Sequence, residues 1–271
     1  MSYTELVTPA YERLASVTGQ RPVRVDQIRG YLPSLTGTNG AGAQVIARVG
    51  AAVTYITTAG AFEVLSSSAN DTAAGTGART IEVKGLDSSW NEFTETVTMN
   101  GVTPVALVNS SAFRINSAKV LTAGSGLTNA GNIDVRTVTG STVYKSIPAA
   151  VECVGMDFDF RYTVPAGMIG ILMDLSVSYY RLAAGTTGSM QFFLNTVSSA
   201  GILRGIWGQG VVNSVTAATA SGEIVNRQNL LLPIDPKSTL DLRGFVEAAP
   251  GSATPVRAQG TILLFKDGTV Y

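Results

Sequence analysis

Short runs of alternating hydrophobic and polar residues, separated by turn-forming residues, dominate the chain from residue 44 onwards. Arg79–Lys84 and Met156–Phe160 both alternate in this way. A period of two residues is typical of a β-strand with one buried face. No stretch of helical period separates these runs, which favours antiparallel pairing. We therefore expect a mostly β fold, with two antiparallel β-sandwich (jelly-roll-like) units and an extended N-terminal arm.

Glycine, proline, asparagine and serine mark the limits of the predicted strands. The predicted strands are Val45–Thr57, Phe62–Ser66, Arg79–Lys84, Phe93–Met99, Val102–Val108, Ala112–Thr122, Asn132–Val138, Val151–Val164, Met168–Tyr180, Ser189–Val197, Ile202–Trp207, Asn229–Pro233, Thr239–Ala248 and Arg257–Lys266. Asn100-Gly101 stands between two of them and predicts a hairpin with a type I′ turn. Ala123–Ala130 is predicted to be a loop.

The pattern divides the chain into three regions. Residues 1–44 form the predicted arm and linker, with a short helix at Thr8–Val17 and a flexible stretch at Thr36–Ala43. Residues 45–148 and 149–271 form the two predicted β-sandwich domains. No repeat of fixed period indicates a solenoid or propeller.

The arm has two interpretations that the residues leave open. It is either an ordinary mobile terminus or an arm that docks on a neighbouring subunit and becomes ordered on binding. The second interpretation places partner contacts on aromatic, apolar and basic side chains of this region. These residues are Tyr3, Leu6, Tyr11, Leu14, Arg21, Arg24 and Arg29.

Composition favours association over binding to nucleic acid or membranes. Of the 271 residues, 45% are hydrophobic and only 14% are charged, and 19 basic residues balance 19 acidic ones. Zero net charge provides no field for attracting nucleic acid or an anionic membrane, and it promotes self-association. The N-terminal residues lack the pattern of a secretory leader, and the apolar runs are too short to span a bilayer. We expect a soluble protein made in a cytoplasm.

The absence of histidine argues against most catalytic sites. It excludes Ser-His-Asp and Cys-His nucleophiles and every metal site that needs histidine. The single cysteine, Cys153, cannot form an internal disulfide or an all-cysteine zinc site, and we interpret it as a small core residue. No glycine cluster follows a phosphate-binding pattern. We therefore expect a protein that is not an enzyme and has no cofactor, metal site or catalytic residue.

Two features retain more than one interpretation. Asp157 and Asp159 lie two residues apart and point to one face of a predicted strand, where they would bind a cation, share a proton or, as we favour, simply face solvent. Trp90 and Trp207 would serve a glycan-binding module if they were exposed. We favour packed positions for both tryptophans.

The segment from Ser66 to Val135 resembles a module in structural proteins of tailed bacteriophages. The matching features are the Asn70-Asp71-Thr72 turn, the run Gly75–Thr80, Gly85-Leu86-Asp87, the run Glu95–Gly101 and the loop Ala123–Gly126. The later run YTVPAGMIGILMDLSVSYY is similar to β-sandwich portions of the same kind of protein. The resemblance covers about two thirds of the chain and supplies no catalytic residues.

This resemblance implies a virion structural protein assembled in the host cytoplasm. Our first hypothesis is a capsid decoration (cement) protein, a homotrimer that bridges subunits of the major capsid protein. A head–tail neck, tail or fibre-base component is the second hypothesis, and a host-glycan binding module on the virion is the third. A glycosidase is disfavoured because no convincing pair of acids is present.

Overall fold

The computed structural model describes residues 22–36, 43–47, 55–149, 155–179, 190–199, 203–209, 224–246 and 255–266. Within these residues all regular secondary structure is β, in sixteen strands that pair antiparallel, and no helix occurs. The expectation of a mostly β fold is confirmed. The helix predicted at Thr8–Val17 lies outside the described residues.

Two sheets combine strands from the start of the chain with strands from its second half. Sheet I has the order β1-β16-β11-β14, and sheet II has the order β10-β15-β12-β13, with β2 also paired to β15. The strands of sheet I are β1 (Arg24–Leu32), β11 (Met168–Tyr179), β14 (Ile224–Ile234) and β16 (Val256–Lys266). The strands of sheet II are β2 (Gln44–Val45), β10 (Arg161–Thr163), β12 (Met190–Val197), β13 (Leu203–Gln209) and β15 (Thr239–Val246).

Sheets I and II contribute to one hydrophobic core. Alternate residues of their strands, such as Leu172 on β11 and Leu242 on β15, are buried in the same cluster. Ile28 and Leu32 of β1 belong to it as well. Gly30 allows β1 to approach its neighbours closely, because a Cβ atom there would lie 2.4 Å from the carbonyl oxygen of Ile46. The first strand is thus an integral part of this core.

Two smaller sheets, formed by residues 62–147, enclose a second core. Sheet III has the order β6-β3-β8-β9 and sheet IV the order β5-β4-β7. Their strands are β3 (Phe62–Ser66), β4 (Ala78–Asp87), β5 (Glu92–Thr98), β6 (Val105–Ala106), β7 (Ala112–Ala123), β8 (Ile133–Thr137) and β9 (Val143–Ile147). Side chains from both sheets, including Phe62, Ile81 and Ile147, form one buried cluster.

The loops beside this second core converge on the carboxylate of Asp71, which is fully buried. Its oxygens accept hydrogen bonds from the backbone N–H groups of Ala78 (2.6 Å), Ala130 (2.8 Å) and Gly131 (2.9 Å) and from the Ser66 hydroxyl (2.5 Å). Four donors compensate the cost of burying the charge.

The hairpin predicted around Asn100-Gly101 is wrong. β5 pairs with β4 and β6 pairs with β3, so the two strands that flank the turn enter different sheets. Of the two turn residues only Gly101 has a positive φ, 63°, whereas a type I′ turn needs two. The Gly101 N–H instead donates to the carbonyl oxygen of Asp71 at 2.7 Å. A long-range contact thus replaces the local one.

The structure places part of the predicted arm in the fold. β1 pairs with β16 along its whole length, and the side chain of Leu35 is buried. β2 pairs with β15. Of the predicted strand Val45–Thr57, the described residues contain only the short β2. Most other predicted strands, such as Phe62–Ser66, Ala112–Thr122 and Met168–Tyr180, match observed strands closely.

Candidate functional site

Charged side chains fill the contact between sheet II and the unit formed by residues 62–147. Leu240 and Leu242 of β15 point into the first core, so Asp241 between them points away from it. Arg161 of β10 lies opposite Asp241 in the sheet register. β9 contributes Lys145, and all three charged side chains are buried. We call this region the polar junction, defined by Lys145, Asp157, Asp159, Arg161 and Asp241.

Lys145 and Arg161 both pair with Asp159. The Arg161 Nε lies 2.8 Å and 2.7 Å from the two carboxylate oxygens of Asp159, and the Lys145 Nζ lies 3.4 Å from the nearer one. Arg161 also donates to the backbone carbonyl oxygen of Tyr144 and stacks on the ring of that residue at 5.0 Å. Burial opposes ionisation of Asp159, but Arg161 and Lys145 outweigh it and hold the pKa of this carboxyl below its ordinary value.

Asp157 has the opposite electrostatic balance. Its carboxylate accepts a hydrogen bond from the Ala118 N–H at 2.9 Å and lies 3.8 Å from the Lys145 Nζ. Burial raises the pKa of Asp157 to about 6, and the attraction of Lys145 does not overcome it. Two carboxyls on one buried lysine thus have pKa values shifted in opposite directions, since Asp159 has the arginine as a second partner.

The expectation that Asp157 and Asp159 face solvent is wrong. The side chains are only 12% and 1% exposed. Their spacing does bring both carboxylates to Lys145, but the face they share is covered by β9 and β7. The residues form ion pairs at a packed contact.

A second group of polar side chains surrounds Asp241. Arg243 donates to its carboxylate at 2.9 Å and 3.1 Å, and Asn195 does so at 3.5 Å. The hydroxyl of Tyr55, a residue just before sheet III in the chain, donates to the same carboxylate. Burial raises the pKa of Asp241 despite the opposing effect of Arg243. This group extends the contact toward residue 55.

Arg24, one of the predicted partner contacts, instead makes internal bonds. Its guanidinium lies 2.6 Å from the carboxylate of Glu92 on β5 and 2.9 Å from the hydroxyl of Tyr162 on β10. Asp26 completes the group, 2.8 Å from the same guanidinium. The group stands at one end of a cleft between β1 and sheet IV that also reaches Asp157. Arg24 therefore joins sheet I to sheet IV.

The remaining predicted contacts are placed differently. Arg29 is on β1, where its guanidinium contacts the Met156 sulfur at 3.2 Å and the Gln27 side chain at 2.9 Å. Tyr3, Leu6, Tyr11, Leu14 and Arg21 lie outside the described residues. Their role in partner binding stays a prediction.

Trp90 is half-buried and already engaged. Its ring meets Phe113 edge-on at a centroid distance of 4.9 Å, and the Arg114 guanidinium lies 5.2 Å from its centre. Its backbone has a φ of 66°, and its carbonyl oxygen accepts the Ala166 N–H at 3.0 Å. These contacts favour the packed interpretation of Trp90. The side chain of Trp207 lies outside the described residues.

Chemically, the junction is suited to fixing two β units against each other. Ion pairs between buried, hydrogen-bonded groups specify one arrangement more than they add stability. Among the residues that the structure describes, no group of three or more Asp, Glu or Cys side chains is arranged to hold a metal ion. The described part of the chain also contains no helix long and apolar enough to cross a membrane.

The sequence contains a signal for the junction that the strand pattern alone does not interpret. Lys145 in VYKSI is a single charge inside an apolar strand, and Asp241 in TLDLRGF lies between two leucines with Arg243 two residues later. A charge at such a position indicates a buried partner when both faces of the strand are covered. The partners of Lys145 come only from the fold, because tertiary contacts bring Asp157 and Asp159 to it, whereas Asp241 pairs with Arg243 on its own strand as well as with the distant Tyr55.

No family model and no curated protein matches the chain. Solved structures of infectious bursal disease virus match weakly. The Gx strain is 12% identical over 90% of this chain and 73% of that one, with a TM-score of 0.26. The T=1 particles derived from the virus give 12% identity over 92% and 71%, also with a TM-score of 0.26. The VP2 subviral particle gives 11% over 90% and 72%, with a TM-score of 0.24. A likeness at this level carries no argument about the function of this chain.

Proposed function

We propose that the chain is a non-enzymatic virion structural protein built on a jelly roll, the β-sandwich topology used by many viral capsid proteins. The single observation that carries this proposal is the strand order of sheets I and II. If β1 is lettered B and β10, β11, β12, β13, β14, β15 and β16 are lettered C to I, the sheets read B-I-D-G and C-H-E-F. This order matches that of a jelly roll, in which successive strands alternate between two sheets except for E and F, which are neighbours in one sheet.

The domain organisation that follows is an insertion rather than two units in series. Residues 24–47 and 155–266 supply the jelly roll, and residues 55–149 form a second β unit inserted between strands B and C. The separate cores of the two units support this division. The polar junction would hold the inserted unit at a fixed angle, so that it projects from a shell in one orientation.

For its place in the particle we propose a capsid decoration role. A homotrimer on the head of a tailed phage would bridge subunits of the major capsid protein, after assembly in the host cytoplasm. The low charge content and zero net charge support a surface partly covered by neighbours. The resemblance of residues 66–135 to phage virion modules supports the kind of virus.

The structure gives less support to the alternative functions. A neck, tail or fibre-base position uses the same fold at far lower copy number. Glycan binding needs an exposed aromatic surface, and Trp90 is instead packed against Phe113 and Arg114. Jelly rolls also occur in lectins and cupins. The absence of histidine removes the commonest metal ligand from a cupin-like site.

A reconstitution experiment tests the decoration role. Virus particles that lack this chain through gene deletion are incubated with the purified chain and sedimented. We expect saturable binding at a fixed ratio to the major capsid protein and a higher disruption temperature of the particles. Shells of an unrelated phage serve as the control. Failure to bind the particles, or equal binding to the unrelated shells, would contradict the decoration role.

A further inference from the structure

Arg114 of β7 is a buried arginine whose charge no described carboxylate neutralises. The residue is only 8% exposed, and its Nη1 donates to the backbone carbonyl oxygens of Ile56 at 2.9 Å and Phe113 at 2.8 Å. The Nε–H is buried and has no hydrogen-bond partner. Within the part of the chain that the structure describes, Nη2 has no partner either. A guanidinium has five N–H donors, so this one is unsatisfied along a whole edge.

The unused donors of Arg114 form the edge with which arginine binds carboxylates. The Nε–H and one Nη2–H are parallel and can reach the two oxygens of the same carboxylate. The chain uses this edge in two other places. Arg161 directs it at Asp159, and Arg243 directs it at Asp241 with distances of 2.9 Å and 3.1 Å. Arg114 presents the same pair of donors without an acceptor from the described residues.

The electrostatic surroundings of Arg114 also favour an anion. Burial lowers the pKa of Arg114, Tyr144 opposes this effect, and the Arg161 cation lowers the pKa further. Arg161 is already paired with Asp159, so these two charges offset each other. A buried charge without a counter-ion is costly, and a bound anion would reduce that cost.

Aromatic rings hold the guanidinium of Arg114 in place near the protein surface. Its central carbon lies 4.1 Å from the centre of the Phe113 ring and 5.2 Å from that of Trp90. The two rings meet edge-on, and both residues are only half-buried. Hydrogen bonds fix the backbone of Trp90, whose N–H donates to the Asp87 carbonyl oxygen at 2.9 Å and whose carbonyl oxygen accepts the Ala166 N–H at 3.0 Å. The cluster is therefore preorganised and adjoins solvent.

We propose that the Nε–Nη2 edge of Arg114 is a binding site for a carboxylate. Either a small free carboxylate or an acidic side chain of a second copy of the chain would supply the pair of oxygens that this edge recognises. Ring stacking and the two carbonyl bonds position the guanidinium, but they leave the buried Nε–H without an acceptor. The inference goes beyond the proposed function and holds or fails whether or not the chain belongs to a virion.

NMR of the arginine Nε–H groups tests the site in the full wild-type chain, with each resonance assigned through the bonded carbons of its side chain. Sodium formate is titrated into dilute protein, and sodium chloride at the same ionic strength is the control. We expect the Arg114 resonance to move saturably with formate but not with chloride. The Arg136 resonance should stay in place, because its Nε already donates to Glu63 at 2.6 Å.

The same resonance distinguishes the two sources of the carboxylate. If the carboxylate belongs to a second copy, the Arg114 resonance should move as protein concentration rises in formate-free buffer, and formate should compete with that change. If the ligand is a small free carboxylate, the resonance should respond to formate alone. A resonance that moves in neither series would overturn the proposal.

Two matched variants separate the site from general effects of charge. Arg114→Lys keeps the positive charge but lacks the paired donors, and it should weaken formate binding about tenfold or more in isothermal titration calorimetry. Arg136→Lys makes the same exchange at a guanidinium that is paired with Glu63, and it should bind formate like the wild type. Equal weakening in both variants, or none in Arg114→Lys, would overturn the proposal. The wild-type titration decides the question even if Arg114→Lys does not fold.

Discussion

Asp71 shows at the residue scale how one side chain organises loops that are distant in sequence. Its carboxylate binds residues 66, 78, 130 and 131, which lie at the edges of sheets III and IV. The glycines around it leave no space for side chains, since a Cβ on Gly77 would lie 2.1 Å from the Asp71 carboxylate. A fully buried charge with four donors has no substitute of similar shape that accepts as many hydrogen bonds.

Asp71→Asn should therefore reduce the free energy of unfolding by about 2–4 kcal/mol, because an amide NH2 would face backbone donors. Chemical denaturation measures the change. The matched control is Asp134→Asn, a half-buried residue whose carboxylate accepts one bond from Ser146 at 2.7 Å. We expect the control to lose less than about 1 kcal/mol. Equal losses for the two variants would contradict the role assigned to Asp71.

Asp157 makes stability depend on pH in an unusual direction. Its pKa is about 6 in the folded chain and near 3.8 in the unfolded one. Between these values the folded chain holds a proton that the unfolded chain has released. The contribution of Asp157 to stability is therefore present below pH 3.8 and lost as pH rises through 6. Asp159, with a lowered pKa, contributes stability that is lost only as pH falls below its ordinary range.

Asp157→Asn should remove this dependence. Relative to the wild type, we expect the free energy of unfolding of the variant to rise by about 3 kcal/mol at about pH 7.5 and by nearly nothing at about pH 3.5. The comparison uses the difference between the two proteins at each pH, so that Asp241 and other groups cancel. A difference that is the same at both pH values would show that Asp157 does not titrate in this range.

At the element scale, β1 is a core strand within the region that the sequence predicts to be an arm. The segment contains arginines and lies near glycines and prolines, which favours an irregular terminus when only the sequence is considered. In the structure Gly30 is what permits close packing against Ile46 and Phe160, and Ile28 and Leu32 complete the core. A strand of this kind depends on its partner β16, which lies more than two hundred residues later in the chain.

Gly30→Ala tests whether β1 is packed. The added methyl group would clash with the Ile46 carbonyl oxygen and would lie 2.8 Å from the Phe160 Cβ. We expect the free energy of unfolding to fall by about 1–3 kcal/mol. Gly60→Ala is the control, because no atom lies within 4 Å of the added Cβ. Its effect on the melting temperature should be near zero or slightly stabilising. A similar small effect at both positions would mean that β1 is not held in the core.

The alternating pattern predicts where strands lie but not which strands pair. Alternation predicts β3, β7, β11 and β16 because each has one face in a core and the period of a strand is local. Asn100-Gly101 misleads because the turn is decided by the distant backbone of Asp71 rather than by its own two residues. Pairing partners are long-range choices, and local propensity does not specify them.

At the scale of the whole molecule, the junction was the least predictable feature. The spacing of Asp157 and Asp159 predicts a pair, but Lys145, Arg161 and Asp241 join the site only through the packing of sheet II on the unit formed by residues 62–147. Sheets I and II take strands both from before residue 55 and from after residue 155, which a division of the chain into consecutive domains does not anticipate. The strand order is the basis of our proposal of one jelly roll that carries an inserted unit.

The copy number of the chain in purified virus particles tests the central claim most directly. Particles are isolated on a gradient, and the chain is quantified by mass spectrometry against isotope-labelled peptides and the major capsid protein. A structural role on the capsid predicts a fixed ratio near one copy per capsid subunit. A dozen or fewer copies per particle would place the chain at the neck or tail. Its absence from particles would contradict the claim that it is a virion structural protein.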